Sequence, residues 1–113
     1  MKKIALYIYD LKFGTIIADL LSTNNFEFKF FEKSDFNCTA YDFIIIDLDD
    51  LYIFDKLDFN KYLDRFSKSI VITCSQKISN KTRIYLKKIG WKWIFSKNTL
   101  KKNIINILLS LIK

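Results

Sequence analysis

The 113 residues contain no histidine and no proline, and glycine and cysteine occur only twice each. Without histidine, neither a His-dependent nucleophile triad nor a His-ligated zinc site can be assembled. Cys38 and Cys74 are a single pair without metal-ligand spacing. Two reduced thiols of a cytosolic protein are the plain reading. Two glycines also leave no Gly-rich loop to cradle a phosphate. The missing proline, with the abundance of Lys, Ile, Asn and Phe, follows the codon usage of an AT-rich genome as much as any physical demand, so it carries no functional weight. No apolar run approaches the roughly 18 residues of a membrane span. The opening Met-Lys-Lys, followed by Ile4 to Tyr9, is too short for a signal peptide and lacks a cleavage site. A soluble, cytoplasmic protein is expected.

Half of the residues are hydrophobic and 17% are aromatic, which sets disorder aside and fits a chain long enough for one packed domain, residues 1–113, but too short for two. The net charge of +7 is unevenly distributed. Residues 1–58 carry 6 Lys against 11 Asp or Glu, a balance of −5, and residues 59–113 carry 13 Lys or Arg against Asp64, a balance of +12. Clustered charge steers encounters with nucleic acid or an acidic partner, or aligns protomers. Nucleic-acid binding through residues 61–102 is the less favoured of these, because lysines on solvated helix faces give the same count.

Ile4 to Tyr9 reads as a central strand buried on both faces, and Asp10 can cap the helix that follows. Between Leu11 and Ser22, Ile16, Ile17, Leu20 and Leu21 recur at helical spacing, and Thr23-Asn24-Asn25 closes the segment. Phe26, Phe28 and Phe30 alternate with Glu27 and Lys29, the period of a strand with one wet face, over 26–31. Residues 32–41 leave room for a short or irregular helix at most. Phe43-Ile44-Ile45-Ile46 is the most apolar strand and ends in Asp47.

A polar stretch with Asp49, Asp50 and Asp55 leads to an expected helix from about Phe59 to Ser67, with Tyr62, Leu63 and Phe66 inward. Ile70 to Cys74 is a further strand. Asn80 can cap a helix through Lys88, with Ile84, Tyr85 and Ile89 as its apolar side and Gly90 as its stop. Trp93 to Phe95 and Leu100 to Ile112 complete the chain as strand and helix. Strands alternating with helices, most of them continuously apolar, argue for a parallel sheet covered on both faces, with ligand chemistry at the carboxyl ends of the strands. The end of the strand carrying Asp47 is the first place to look.

Over essentially its whole length the chain resembles a response-regulator receiver domain, the phospho-accepting module of bacterial two-component systems. Tyr41-Asp42-Phe43-Ile44-Ile45-Ile46-Asp47-Leu48 resembles the family's "YDLVILDL" strand, and Gly90-Trp91-Lys92-Trp93-Ile94-Phe95-Ser96-Lys97 resembles its "GADDYLTK" strand. The resemblance implies a flavodoxin-like, three-layer α/β/α sandwich around a five-stranded parallel sheet, with strand order 2-1-3-4-5 in chain numbering. It also implies Asp47 as phospho-acceptor, Lys97 as the lysine contacting the acyl phosphate, and a hydroxyl at the end of the fourth strand. Counting back from Gly90 puts Ser75 there, whereas the local "IVITC" pattern favours Thr73; Ser75 is taken first.

The magnesium-binding acid pair is where the chain departs from the family. Against "KILIVDDD", Ile8 and Tyr9 stand at the acidic positions and only Asp10, one place late, is acidic. Asp10 could join Asp47 at a metal only if the first strand bulged, since strand side chains alternate faces. Ile94 replaces the aromatic residue whose rotation reports phosphorylation, Asn98 replaces the proline after the lysine, and Asp49-Asp50 replace the usual Met-Pro. Extra carboxylates beside Asp47 oppose the addition of a phosphoryl group unless a metal is bound.

The expectation is therefore a weak magnesium site or none, and a Lys97–Asp47 salt bridge holding a partly vestigial site. Asp47, Asp49, Asp50 and Asp55 could bind a cation weakly, but a solvated loop is the reading taken first. The last helix is apolar over more than one stripe, so Ile105, Leu108, Leu109 and Ile112, with Trp91 and Trp93 nearby, are read as an interface. The function expected is an atypical, non-enzymatic receiver domain acting through association. A homodimer is expected first, and a histidine kinase or effector protein is the other partner class. Phospho-acceptance at Asp47 with magnesium is the first rival.

Overall fold

The computed structural model describes residues 2–32, 35, 38, 40–49 and 66–112. In chain order these form β1 (Lys3–Tyr7), α1 (Leu11–Thr23), β2 (Glu27–Phe30), β3 (Phe43–Asp47), β4 (Ile70–Ser75), α2 (Asn80–Lys88), β5 (Trp93–Ser96) and α3 (Lys97–Ile112). Every strand pairing is parallel and the order is β2-β1-β3-β4-β5. The helix expected from about Phe59 to Ser67 and the irregular one over 32–41 fall largely outside the described residues. Phe66 is described and buried.

Strand alternation divides the core into two layers. Ile4, Leu6 and Ile8 of β1 and its extension, Phe43 and Ile45 of β3, and Ile72 and Cys74 of β4 face α1 and α3. They meet Phe13, Ile17 and Leu21 of α1 and Leu100, Ile104 and Leu108 of α3. The opposite layer joins Ala5, Tyr7, Ile44, Ile46, Val71 and Ile94 to Phe66, Leu86 of α2 and Trp91. Burial on both faces is why β1 and β3 read as unbroken apolar runs. The edge strand β2 differs: Phe26 and Phe28 pack half-buried beside α1, whereas Phe30 is exposed and Phe31 turns into the other layer. Among the described residues no helix is long and apolar enough to cross a membrane.

Three sequence expectations are corrected by this packing. On α2 the inward residue is Leu86, with Ile89 half-buried behind it, and Ile84 and Tyr85 face solvent, 68% and 49% exposed. Its cap is Ser79, whose Oγ accepts the Thr82 amide N–H at 3.1 Å, rather than Asn80. The interface expected around the last helix also loses two members. Leu108 is fully buried, because Leu100, Ile104 and Leu108 recur every four residues and form the stripe that faces the sheet. Trp91 is buried as well, with its ring 6.2 Å from that of Phe66.

Candidate functional site

The carboxyl ends of β1, β3, β4 and β5 converge at the switch point of the sheet, where β1 connects to β2 on one side and lies beside β3 on the other. Asp47 is the last residue of β3 and its side chain is 3% exposed. Lys97 follows β5 directly as the first residue of α3, three residues before the helix start expected from sequence. Ser96 begins that helix by accepting the Thr99 amide N–H at 3.1 Å, which fixes where the Lys97 stem emerges.

The Lys97 ammonium lies among three carboxylates: 2.9 Å from Asp47 Oδ2, 3.0 Å from Asp49 Oδ2 and 3.5 Å from Asp10 Oδ2. Asp47 accepts a second bond, at 3.0 Å, from the Asp49 amide N–H. Asp49 is bound at both oxygens. Its Oδ1 accepts the Ser75 hydroxyl at 2.5 Å, and its Oδ2 accepts the Gln76 amide N–H at 2.9 Å as well as the ammonium. Asp49 is therefore both solvent-exposed and bonded at each oxygen; Asp50 and Asp55 fall outside the described residues.

Ser75 closes β4 and reaches this cluster, with its Oγ also 3.0 Å from the Lys77 carbonyl oxygen. Thr73, two residues deeper on the same face, directs its hydroxyl to the Trp93 carbonyl at 3.4 Å. Of the two candidates, only Ser75 has a bond to the cluster.

Burial raises the Asp47 carboxyl above the ordinary carboxylate value, and the Lys97 ammonium and the Asp49 amide offset only part of that rise. Burial acts on Asp49 in the same sense, but the Ser75 hydroxyl, Lys97 and the Gln76 amide outweigh it and hold that carboxyl below its ordinary value. Desolvation works against the charge of Lys97, and Asp47 and Asp49 reverse this, holding the ammonium above the usual lysine value. Burial pushes the Cys74 thiol up, as expected of an inert core cysteine.

Asp10 is occupied as the N-cap of α1: its Oδ1 accepts the Phe13 amide N–H at 3.1 Å, and this bond is the main reason its carboxyl is held below the usual range. Replacing Asp10 with alanine is expected to cost about 1 kcal/mol of stability, the ordinary value of a cap. Urea unfolding measures it, and a change near zero would show that the cap bond does not form.

Among the described residues, the donors at this site do not form a set that fits a divalent ion. Ile8, aliphatic and buried, and Tyr9, whose hydroxyl donates to the Phe31 carbonyl at 2.9 Å, stand where acids are needed. Alternation continues unbroken from β1 through Tyr9, with Ile8 in one layer and Tyr9 in the other, so no bulge brings Asp10 into their place. The cation that Asp10 and Asp47 do share is the Lys97 ammonium. Among the described residues no group of three or more His, Cys, Asp or Glu is placed to hold a metal.

Gln76 is the member that sequence reasoning missed, and Asp49, read as an extra carboxylate beside Asp47, was not expected to bond to the others. The available signal was the Asp47-Leu48-Asp49 spacing, which returns a second carboxylate to the side of the first just beyond the strand end.

No protein-family model matches the chain, and no curated protein matches it. Solved structures do. A CheY-like response regulator of Mesorhizobium loti superimposes with a TM-score of 0.75 at 20% identity, over 96% of each chain. An orphan response regulator of H. pylori gives 0.70 at 13% identity, over 93% of this chain and 94% of the other. A response regulator of Burkholderia pseudomallei, solved with a phosphorylated aspartic acid, calcium ion and citrate, gives 0.73 at 15% identity, over 93% of this chain and 65% of that one. The fold is that of response-regulator receiver domains, the flavodoxin-like five-stranded parallel sheet in the order 2-1-3-4-5.

Proposed function

We propose that the chain is an atypical receiver domain acting in signal transduction or transcription control in the cytoplasm. It works through protein–protein association as a homodimer, with little or no phosphoryl transfer to Asp47. The observation that supports this most strongly is the engagement of Lys97. Its ammonium already bonds to Asp47 and Asp49, and the Ser75 hydroxyl is donated to Asp49. An incoming phosphoryl group needs that ammonium and that hydroxyl, and it adds negative charge beside two carboxylates where Ile8 and Tyr9 offer no metal ligand. Asp10 and Asp47 flanking one ammonium is the feature that favours the rival, phosphoryl transfer to Asp47.

The surface for association lies around β5, which is an edge of the sheet and is flanked by α2 and α3. Ile84 and Tyr85 of α2 and Leu109 and Ile112 of α3 are exposed, and Trp93 and Ile105 are half-buried. Lys87, Lys88, Lys92, Lys101 and Lys102 surround them with charge of one sign. Two copies meeting here repel through these lysines, so salt strengthens the homodimer; a complex with an acidic effector would be weakened by salt. Sedimentation velocity is expected to show a dimer whose share rises with salt and which dissociates when Ile84→Glu and Leu109→Glu are combined. A monomer at all salt concentrations would overturn the dimer, and association that needs a phosphoryl donor would favour the rival.

A further inference from the structure

At the end of the sheet opposite Asp47, the amino ends of β4 and β5 and the carboxyl end of α2 enclose a cavity of about 390 Å³. Phe66, Ile70, Val71, Ile89, Trp91 and Trp93 wall it, and these include both tryptophans of the chain. Cavities of roughly 300–1,000 Å³ with apolar and aromatic walls are the usual form of small-molecule sites. Gly90 also lines the space and keeps it open: its φ of +96° ends α2, and no heavy atom lies within 4 Å of where a Cβ would stand. Among the described residues, none that lines the cavity is charged. Ser69 spends its hydroxyl proton on the Tyr41 carbonyl at 2.6 Å, and the Phe66 ring stacks on Trp91. Charge of one sign stands at the rim instead. Lys68, Lys88 and Lys92 are exposed and adjoin lining residues in the chain, and the Lys92 ammonium lies 5.3 Å from the centre of the Trp93 ring.

We propose that this cavity binds a small aromatic carboxylate, with its ring among the aromatic walls and its carboxylate at the rim beside Lys92. A flat ring gains stacking against Phe66, Trp91 and Trp93 beyond the area it buries, which an aliphatic chain of similar size does not. A carboxylate taken inside would find no counter-charge in the walls, so it stays at the mouth, where the lysines attract it and repel a cation. The site uses none of the residues around Asp47 and goes beyond the association reading. Trp93 belongs to the proposed association surface as well, so binding is measured at low salt, where that reading expects the monomer. A protein that never dimerises leaves this proposal intact, and failure to bind leaves the dimer untouched.

The two indole N–H signals in the NMR spectrum of the intact chain report on the cavity directly, because both tryptophans line it. They are followed while 2-naphthoate is added, with hexanoate as the anion without a ring and 2-naphthylmethylamine as the ring of opposite charge. Both signals are expected to shift saturably with 2-naphthoate, and each control is expected to bind at least about tenfold more weakly. Ile89→Phe, which fills the cavity, is expected to weaken 2-naphthoate by a similar factor. If Ile89→Phe does not fold, Trp93→Leu removes one aromatic wall and is expected to weaken it in the same sense, read on the Trp91 signal. Indole signals that do not move, hexanoate or the amine binding as well as 2-naphthoate, or a folded cavity variant that binds undiminished would overturn the proposal.

Discussion

Replacing Lys97 with methionine is expected to destabilise the domain by about 3 kcal/mol at neutral pH, and acidification is expected to recover much of the loss. Removing one partner of a buried ion pair costs roughly 3–5 kcal/mol, because the charge left behind has neither water nor a counter-ion. The lower end applies here, since the Lys97 side chain is 15% exposed and Asp47 keeps the Asp49 amide as a donor. The orphaned charge is Asp47, at 3% exposure. Its carboxyl is already raised by burial with Lys97 in place, and without the ammonium it rises further.

A carboxyl that binds its proton at higher pH in the folded than in the unfolded chain makes stability fall as pH rises through the folded value. Lowering the pH through that value neutralises Asp47 and restores stability. The difference between intact chain and variant therefore shrinks between neutral pH and the ordinary carboxylate range. Urea unfolding at stepped pH measures it, and a difference that stays constant would contradict the role given to Asp47.

The second large effect separates core from surface on α3. Leu108→Ala is expected to cost 2–5 kcal/mol, at roughly the usual range for a buried leucine truncated to alanine. Its neighbour Leu109 is 52% exposed, and Leu109→Ala is expected to stay within about 0.5 kcal/mol in the monomer. The stripe of Leu100, Ile104 and Leu108 facing Ile17, Leu21, Ile45 and Ile72 is the reason. Denaturant midpoints at unchanged m-value give both numbers. Equal costs would mean that the helix does not present one face to the sheet.

Much of the fold was legible because a strand buried on two faces cannot conceal itself: Phe43 to Ile46 and Ile70 to Cys74 are apolar on both parities. The end of the chain was legible only in outline. Ile105, Ile107, Leu109 and Leu111 are as apolar as Ile104 and Leu108, and composition cannot tell which stripe meets the sheet until the sheet is there. The same ambiguity misassigned α2, where Ile84 and Tyr85 look like a core pair and Leu86 is the residue that packs.

At the site, Asp47, Lys97 and Ser75 could be located from their register at strand ends, and the acids missing at Ile8 and Tyr9 could be read directly. Asp49 could not. Nothing in its neighbourhood in the sequence shows that a hydroxyl 26 residues away and an ammonium beyond it converge on its carboxylate. That contact changes how the departures from the receiver pattern are understood: Ile8 and Tyr9 stand in place of acids, and Asp49 takes up the lysine and the hydroxyl.

The most direct test of little or no phosphoryl transfer to Asp47 is a titration of the intact chain with beryllofluoride and magnesium, followed on the amides of Ser75, Gln76 and Lys97. The expected result is no saturable shift at any of the three. A saturable shift that disappears in Asp47→Ala would contradict the account and establish Asp47 as a working phospho-acceptor.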